Sequence, residues 1–138
     1  MINQFQGENR FLSNFYPSVF NYEGWTYRTV EHFYQCGKCL HQEDFLKIIS
    51  SQTPGEAKKL GQKIELTEDW EAIKYSVMEI GLNHKFNLPF LKDRLLSTKN
   101  QTLVEGNSWG DTYWGVDLKT GKGLNTLGKL LMKIRSEL

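Results

Sequence analysis

Residues 29–38 read Thr29-Val30-Glu31-His32-Phe33-Tyr34-Gln35-Cys36-Gly37-Lys38. Thr29 is a good N-cap, because its hydroxyl can accept a bond from the unpaired N–H groups of a first helical turn. The spacing predicts a helix from about Val30 to His41. On it Glu31, Gln35 and Lys38 stand at i, i+4 and i+7 and share one face, with Tyr34 beside them. Val30, Phe33, Gly37 and Leu40 fall on an adjacent, more apolar face. A carboxylate, an amide and an amine thus project together. From spacing alone, the same face also reads as solvated surface with an ordinary ion pair.

Working upstream, residues 18–28 suggest a β-hairpin. Phe20 and Tyr22 alternate before Glu23-Gly24, and Trp25 and Tyr27 alternate after it. The charged helix face is expected to lie beneath this hairpin. Ten of the 18 aromatic residues fall within the first 34 positions. A ligand pocket can concentrate aromatics in this way, although most of the ten are expected in the core.

Working downstream, Gln42–Ser51 predicts a second helix. Thr53, Pro54 and Glu56 start a third, with Thr53 as N-cap, Pro54 at the first helical position and Glu56 completing a capping box. That helix stops near Gly61. A long helix opens at Thr67 and Trp70, with Trp70, Ile73, Val77, Ile80 and His84 on one face. Pro89 starts a short helix ending near Thr98. Thr102–Glu105 reads as a short strand and Gly106–Gly123 as an irregular loop. A final helix carries the apolar stripe Leu124, Leu127, Leu130, Leu131, Ile134 and Leu138. The fold class is α+β and predominantly helical, a single domain over residues 1–138 with a helical core, short strands and a hairpin.

The length and the 39% hydrophobic content suit one globular domain with a real core. No stretch approaches the ~20 apolar residues of a membrane span. The N-terminus has no secretory pattern, and two cysteines exclude a dense disulfide framework, so a cytoplasmic protein is expected. With 17 basic and 16 acidic residues, the chain lacks the basic excess of a protein that binds nucleic acid through backbone charge alone. A small local basic site for a phosphorylated ligand remains compatible with that balance.

Other constellations invite chemical readings. Cys36-Gly37-Lys38-Cys39 is a CxxC, yet no second pair completes a zinc site and the motif sits late in a helix, so buried structural thiols are expected and no metal is assigned. Arg10, Ser13, Asn14 and Phe15 lie in a segment where small polar groups could fix a sugar or phosphate and Phe15 could stack on a base, or which could form a capped turn packed by its own aromatics. In Gly106–Gly115, Asp111 could be an acid, a base or a sugar clamp. Gly121 and Gly123 precede a helix whose N-terminus could receive an anion, with Asn125 nearby. Trp70 reads as core or as a stacking platform.

These segments, in this order, resemble the NADAR family, also called YbiA-like. The likeness rests on Phe11–Pro17, on Thr29-Val30-Glu31-His32 with Gln35 and Lys38, and on Glu56–Gly61. It continues through Asp69-Trp70, Lys74, Val77-Met78, Lys85-Phe86, Leu95-Leu96 and Leu103-Val104-Glu105. It closes with Asp111, Trp114-Gly115, Gly121, Gly123, Asn125, Leu127-Gly128, Leu131-Met132 and Arg135. The chain departs from the family pattern at Cys36, Gly37 and Cys39, after Glu105, and in the length of 106–114, a loop that would shape substrate choice.

The resemblance implies a YbiA-like domain and an N-glycosidase with no metal and no cofactor, cleaving the bond between ribose and an exocyclic amine. Two substrate branches are implied. One takes phosphoribosylated pyrimidine intermediates of riboflavin synthesis. The other removes ADP-ribose from guanine, including modified guanine in nucleic acid. Leaving through an oxocarbenium-like state needs an acid/base at the departing nitrogen. Glu31 takes that role in this reading and Asp111 orients ribose hydroxyls or water. Lys38 offers a second, covalent route through a Schiff base. Phe15, Tyr34, Trp70, Trp114 and Gly115 are expected to wall the base and ribose. Gln35, Ser13, Asn14 and Asn125 would bond to substrate, and Arg10, Lys58 and Arg135 to phosphate. The rival reading is a non-catalytic module that binds ADP-ribose or nucleotides. Membrane association is not expected, and oligomeric state is not legible.

Overall fold

A computed structural model describes residues 1–138. The chain gathers into two compact units, residues 14–88 and residues 1–13 together with 89–138. It is mostly helical with short strands, as the patterning predicts.

The unit of residues 14–88 opens with an antiparallel hairpin, β1 (Phe20–Tyr22) and β2 (Trp25–Tyr27), with Phe20 opposite Tyr27. Glu23 and Gly24 both take positive φ, 49° and 86°. That is the two-residue turn whose twist matches its strands. Helices α1 (Val30–Gly37), α2 (Gln42–Ser50), α3 (Pro54–Gly61) and α4 (Trp70–Lys85) follow. The Thr29 hydroxyl accepts from the His32 N–H at 3.1 Å, as a cap should.

Helix α1 ends four residues earlier than its pattern predicts. The Lys38 carbonyl accepts the Thr67 N–H at 2.8 Å, and the Leu40 N–H goes to the Glu65 carbonyl at 3.3 Å. Pairing with 65–67 therefore takes the backbone groups that a longer helix would need. Leu40 falls outside the helix and is 47% exposed. The expected capping box on α3 is also incomplete. Thr53 caps the Glu56 N–H at 3.1 Å, but the Glu56 carboxylate accepts from Gln52, at 3.4 Å, rather than from Thr53.

The stripe expected on α4 is rotated. Its buried residues are Trp70, Met78, Gly81, Leu82 and Lys85, whereas Ile73 is exposed and Val77, Ile80 and His84 are half-buried. Two glycines explain this. A methyl at Gly81 would lie 2.9 Å from Phe33 Cδ2, and one at Gly37 2.8 Å from Val77 Cγ1. Helices α1 and α4 approach through positions that an apolar count leaves blank.

The aromatic excess is mostly a core. Phe20, Tyr22 and Tyr27 pack on Phe33 with ring centroids 5.6, 5.3 and 4.9 Å away. His84 adds contacts to Phe20 and Tyr22 at 5.6 and 5.2 Å. Phe33 stands two residues on from Glu31, about 200° round the helix at about 100° per residue. The hairpin therefore covers the face opposite Glu31 and not, as expected, the charged one.

The second unit holds a 3₁₀ turn (Gly7–Leu12), α5 (Pro89–Ser97), β3 (Gly106–Asn107), β4 (Val116–Asp117) and α6 (Thr126–Glu137). The strand expected at 102–105 reduces to a single parallel bridge between Ile2 and Leu103. Asn125 Nδ2 donates to the Leu103 carbonyl and its Oδ1 accepts the Glu105 N–H, both at 2.9 Å, so those ladder groups are spent on a side chain. The ladder forms instead between β3 and β4, in parallel, inside the stretch read as irregular. Leu127, Leu130, Leu131 and Ile134 are buried on α6 as predicted, while Leu124 and Leu138 lie beyond its ends and are exposed.

Fully buried His32 ties α1 to the chain leading into α3. Its Nε2 is 3.0 Å from the Ser51 carbonyl and its Nδ1 2.8 Å from the Thr29 hydroxyl. A carbonyl only accepts, so Nε2 carries a proton. Burial is the leading cause that holds its pKa below the ordinary 6.5. Stability from this group is complete above pH 6.5 and declines as pH falls through 6.5 toward the lower folded value. Urea unfolding should thus show a loss of stability between pH 7.5 and 5.5 that shrinks in His32→Gln. An identical pH dependence in the variant would refute the assignment.

Candidate active site

Helix α1 buries polar groups as well as apolar ones: Glu31, His32 and Gln35 are all buried. The Glu31 N–H donates to the Asn14 carbonyl at 3.1 Å, which satisfies one of the unpaired donors at the start of α1. Glu31 Oε2 accepts from Gln35 Nε2 at 2.6 Å, a bond made possible by their i, i+4 spacing. The Gln35 Oε1 is buried without a hydrogen-bond partner, and so is the Asn14 Oδ1. Asn14 Nδ2 reaches the Met78 Sδ at 3.5 Å.

Lys38 keeps its place on the Glu31 face although the helix has ended, because it retains right-handed helical angles at the C-cap. Its Nζ sits 5.5 Å from the centre of the Tyr34 ring. Tyr34 in turn meets Trp70 edge-on at 5.1 Å. Burial pushes the Lys38 ammonium below its ordinary pKa, the Glu31 carboxylate counters this, and the charges of Lys58 and Lys74 add to the lowering. Lys58 Nζ also lies 6.0 Å from the ring of Phe15, which is 39% exposed. The structure thus links Asn14, Phe15, Glu31, Tyr34, Gln35, Lys38, Lys58 and Trp70 within residues 14–88. Trp70 is 6% exposed and belongs to the core.

Arg10, Ser13, Asp111, Trp114, Gly115 and Asn125 belong to the other unit. Arg10 is exposed on the 3₁₀ turn and Ser13 half-buried just after it. Asp111 Oδ1 accepts the N–H groups of Tyr113 and Trp114 at 3.1 and 2.9 Å. Asn107, which the sequence reading passed over, organises the loop. Its Oδ1 accepts the Asp111 N–H, and its Nδ2 donates to the Asp111 carbonyl and to Glu105 Oε2. A methyl at Gly115 would overlap Glu105 and lie 2.6 Å from Asn107 Nδ2. Tyr113 and Trp114 carbonyls accept the Thr126 and Leu127 N–H groups at 3.1 and 2.9 Å. The first turn of α6 has therefore spent those donors, which corrects its reading as an anion site. Arg135 Nη1 donates to the Thr98 hydroxyl at 2.8 Å.

Two further groups complete the electrostatics. Burial pushes the Cys39 thiol up to about 11 and the buried Cys36 thiol further, which opposes the thiolate that redox or metal chemistry needs. Lys85 is fully buried, with its Nζ 5.8 Å from the Tyr16 ring and 5.0 Å from the Phe86 ring, and desolvation brings its pKa to about 7. Its burial was legible in principle: Met78, Leu82 and Lys85 repeat at i, i+4 and i+7.

A mostly helical α+β chain with a buried carboxylate and amide and a half-buried amine on one face now has a class. The NADAR domain model matches residues 2–138, and the chain belongs to that family. It is 36% identical over 133 residues to the N-glycosidase Npun_R5314 of Nostoc punctiforme, covering 92% of this chain and 84% of that one. It is 36% identical over 130 residues to the N-glycosidase YbiA of Escherichia coli, covering 92% and 80%. The NMR structure of E. coli YbiA superposes with a TM-score of 0.86 at 32% identity, covering 99% of this chain and 86% of that one. The maize riboflavin biosynthesis protein PYRR, chloroplastic, is 35% identical over 145 residues, 92% of this chain and 23% of its own length. The chain thus spans about a quarter of that relative. No helix is long and apolar enough to cross a membrane.

The Asp111 geometry separates loop-holding from charge. Asp111→Ala removes the acceptor of two backbone N–H groups and should lower stability by about 1–2 kcal/mol. Asp111→Asn keeps an oxygen there and should stay within about 0.5 kcal/mol of wild type. Equal loss in both variants, by denaturant unfolding, would contradict the turn role.

Proposed function

We propose that this chain hydrolyses the N-glycosyl bond between a phosphoribose and the exocyclic amine of an aminopyrimidine or pyrimidinone intermediate of riboflavin synthesis. The observation that carries the reading is the buried Glu31 carboxylate, one oxygen held by Gln35, on the same face as an amine of lowered basicity. The activity named for the bacterial relatives and the pathway named for the maize relative support it.

Departure of the amine leaves an oxocarbenium-like ribose and needs a proton on the leaving nitrogen. Glu31 supplies that proton and then takes one from the attacking water. The neighbouring charges of Lys38 and Lys58 complement a sugar phosphate. This is a local basic site in a chain of net charge +1, and it suits a free small substrate. The half-exposed Phe15 ring offers a face for the base.

Glu31→Gln should bind a phosphoribosylated aminopyrimidine but lose at least about 100-fold in kcat, within the usual range for general acid–base catalysis. Near-normal turnover in that variant would remove Glu31 from the chemistry. Side-by-side assay with ADP-ribosylated guanine distinguishes the branches: faster sugar release there would reassign the substrate, and retention of an intact ligand would favour a binding module.

The lowered basicity of Lys38 favours one second route. A ribosylamine opens to an imine, the neutral Lys38 amine adds at C1 and expels the base amine, and water then hydrolyses the lysine imine to free the sugar aldehyde. Borohydride added during turnover should trap the sugar on Lys38 if this route operates. No adduct, with Lys38→Ala still active, would leave direct hydrolysis by Glu31.

A further inference from the structure

Gln35 has its two ends determined by different neighbours. A carboxylate oxygen can accept but not donate when ionised, so the group 2.6 Å from Glu31 Oε2 is the amide NH₂, and the amide oxygen points the other way. There it meets α3. A methyl built on Gly61 would overlap the Gln35 Oε1 and lie 2.7 Å from its Cδ, and the three nearest atoms all belong to Gln35. Gly61 therefore leaves a notch that the amide oxygen fills. That oxygen is buried and has no hydrogen-bond partner. A buried, unpaired acceptor is costly and calls for a reason. Here the reason is orientation: the notch holds the amide so that its NH₂ faces Glu31.

We propose that Gly61 and Gln35 act as a positioning pair that orients the Glu31 carboxylate for proton transfer by holding a pure donor against its Oε2. This gives Gln35 a positioning role in place of a substrate contact. It rests on the reading of Glu31 as the acid/base, and deepens it by naming what holds the carboxylate in place.

The test is a double-mutant cycle of wild type, Gln35→Ala, Gly61→Ala and the double variant. Each is assayed for kcat and KM against pH with a phosphoribosylated aminopyrimidine, and for stability in urea. Each single variant should lose about 10- to 100-fold in kcat, the usual consequence of a misplaced catalytic group, with KM little changed. The alkaline limb of kcat, where Glu31 loses the proton it must donate, should move to higher pH in both, because a carboxylate that loses a donor keeps its proton longer. Gly61→Ala should have no further effect on kcat once residue 35 is alanine. In stability, Gly61→Ala should be harmful beside Gln35 and neutral or favourable beside alanine, which is the better helix former.

Wild-type kcat with an unmoved alkaline limb in Gly61→Ala would overturn the proposal. So would an equal effect of Gly61→Ala on kcat in both backgrounds. Retained turnover in Glu31→Gln would overturn the catalytic reading and this proposal together. Loss of turnover in Glu31→Gln beside an additive cycle would overturn the positioning pair alone. The stability arm reads the notch without reference to turnover.

Discussion

A carboxylate inside a protein must find its hydrogen bonds within the protein, since water no longer supplies them. Glu31 is under that constraint, and Gln35 one turn later meets part of it. The arrangement makes demands on the surrounding chain. The Thr29 cap sets where α1 begins and so which residues share the Glu31 face. The carbonyl of Asn14 takes the Glu31 N–H, binding the Asn14–Phe15 segment to the helix start. Gly61 must stay without a side chain for the Gln35 amide to lie where it does.

The opposite side of α1 solves a different problem. Phe33 anchors the hairpin rings, and Gly37 and Gly81 let α4 approach closely. Burial of each large ring contributes on the order of 1.5–3 kcal/mol. This gives the helix a firm apolar seat, so its polar face can be held in place without contributing much to stability itself. The concentration of aromatics near the N-terminus is therefore mainly a packing feature of residues 14–88, with Phe15 left half-exposed among them.

Residues 1–13 and 89–138 use side-chain amides where longer strands would otherwise form. Asn125 clamps the 103–105 backbone and Asn107 gathers the loop around Asp111. A stretch with only two-residue strands is thereby given a defined path. The backbone of Tyr113 and Trp114 in the same loop occupies α6 N–H groups and one oxygen of Asp111, which limits what those groups can offer a ligand.

The sequence by itself determined what depends on near neighbours in the chain. The Thr29 and Thr53 caps, the Glu23-Gly24 turn, the α2, α3 and α5 helices and the inner stripe of α6 rest on contacts within a few residues. So does the shared face of Glu31, Gln35 and Lys38. The tertiary structure alone decided the rest. It ended α1 at Gly37, because 65–67 competes for the backbone groups that would extend it. It rotated the buried face of α4, because packing through Gly37 and Gly81 leaves no apolar mark in a sequence pattern. It put the hairpin against Phe33 and left Glu31 on the other side. It also set the Gln35 amide against Gly61, a pairing of distant positions in which one partner acts by having no side chain, so no local propensity records it.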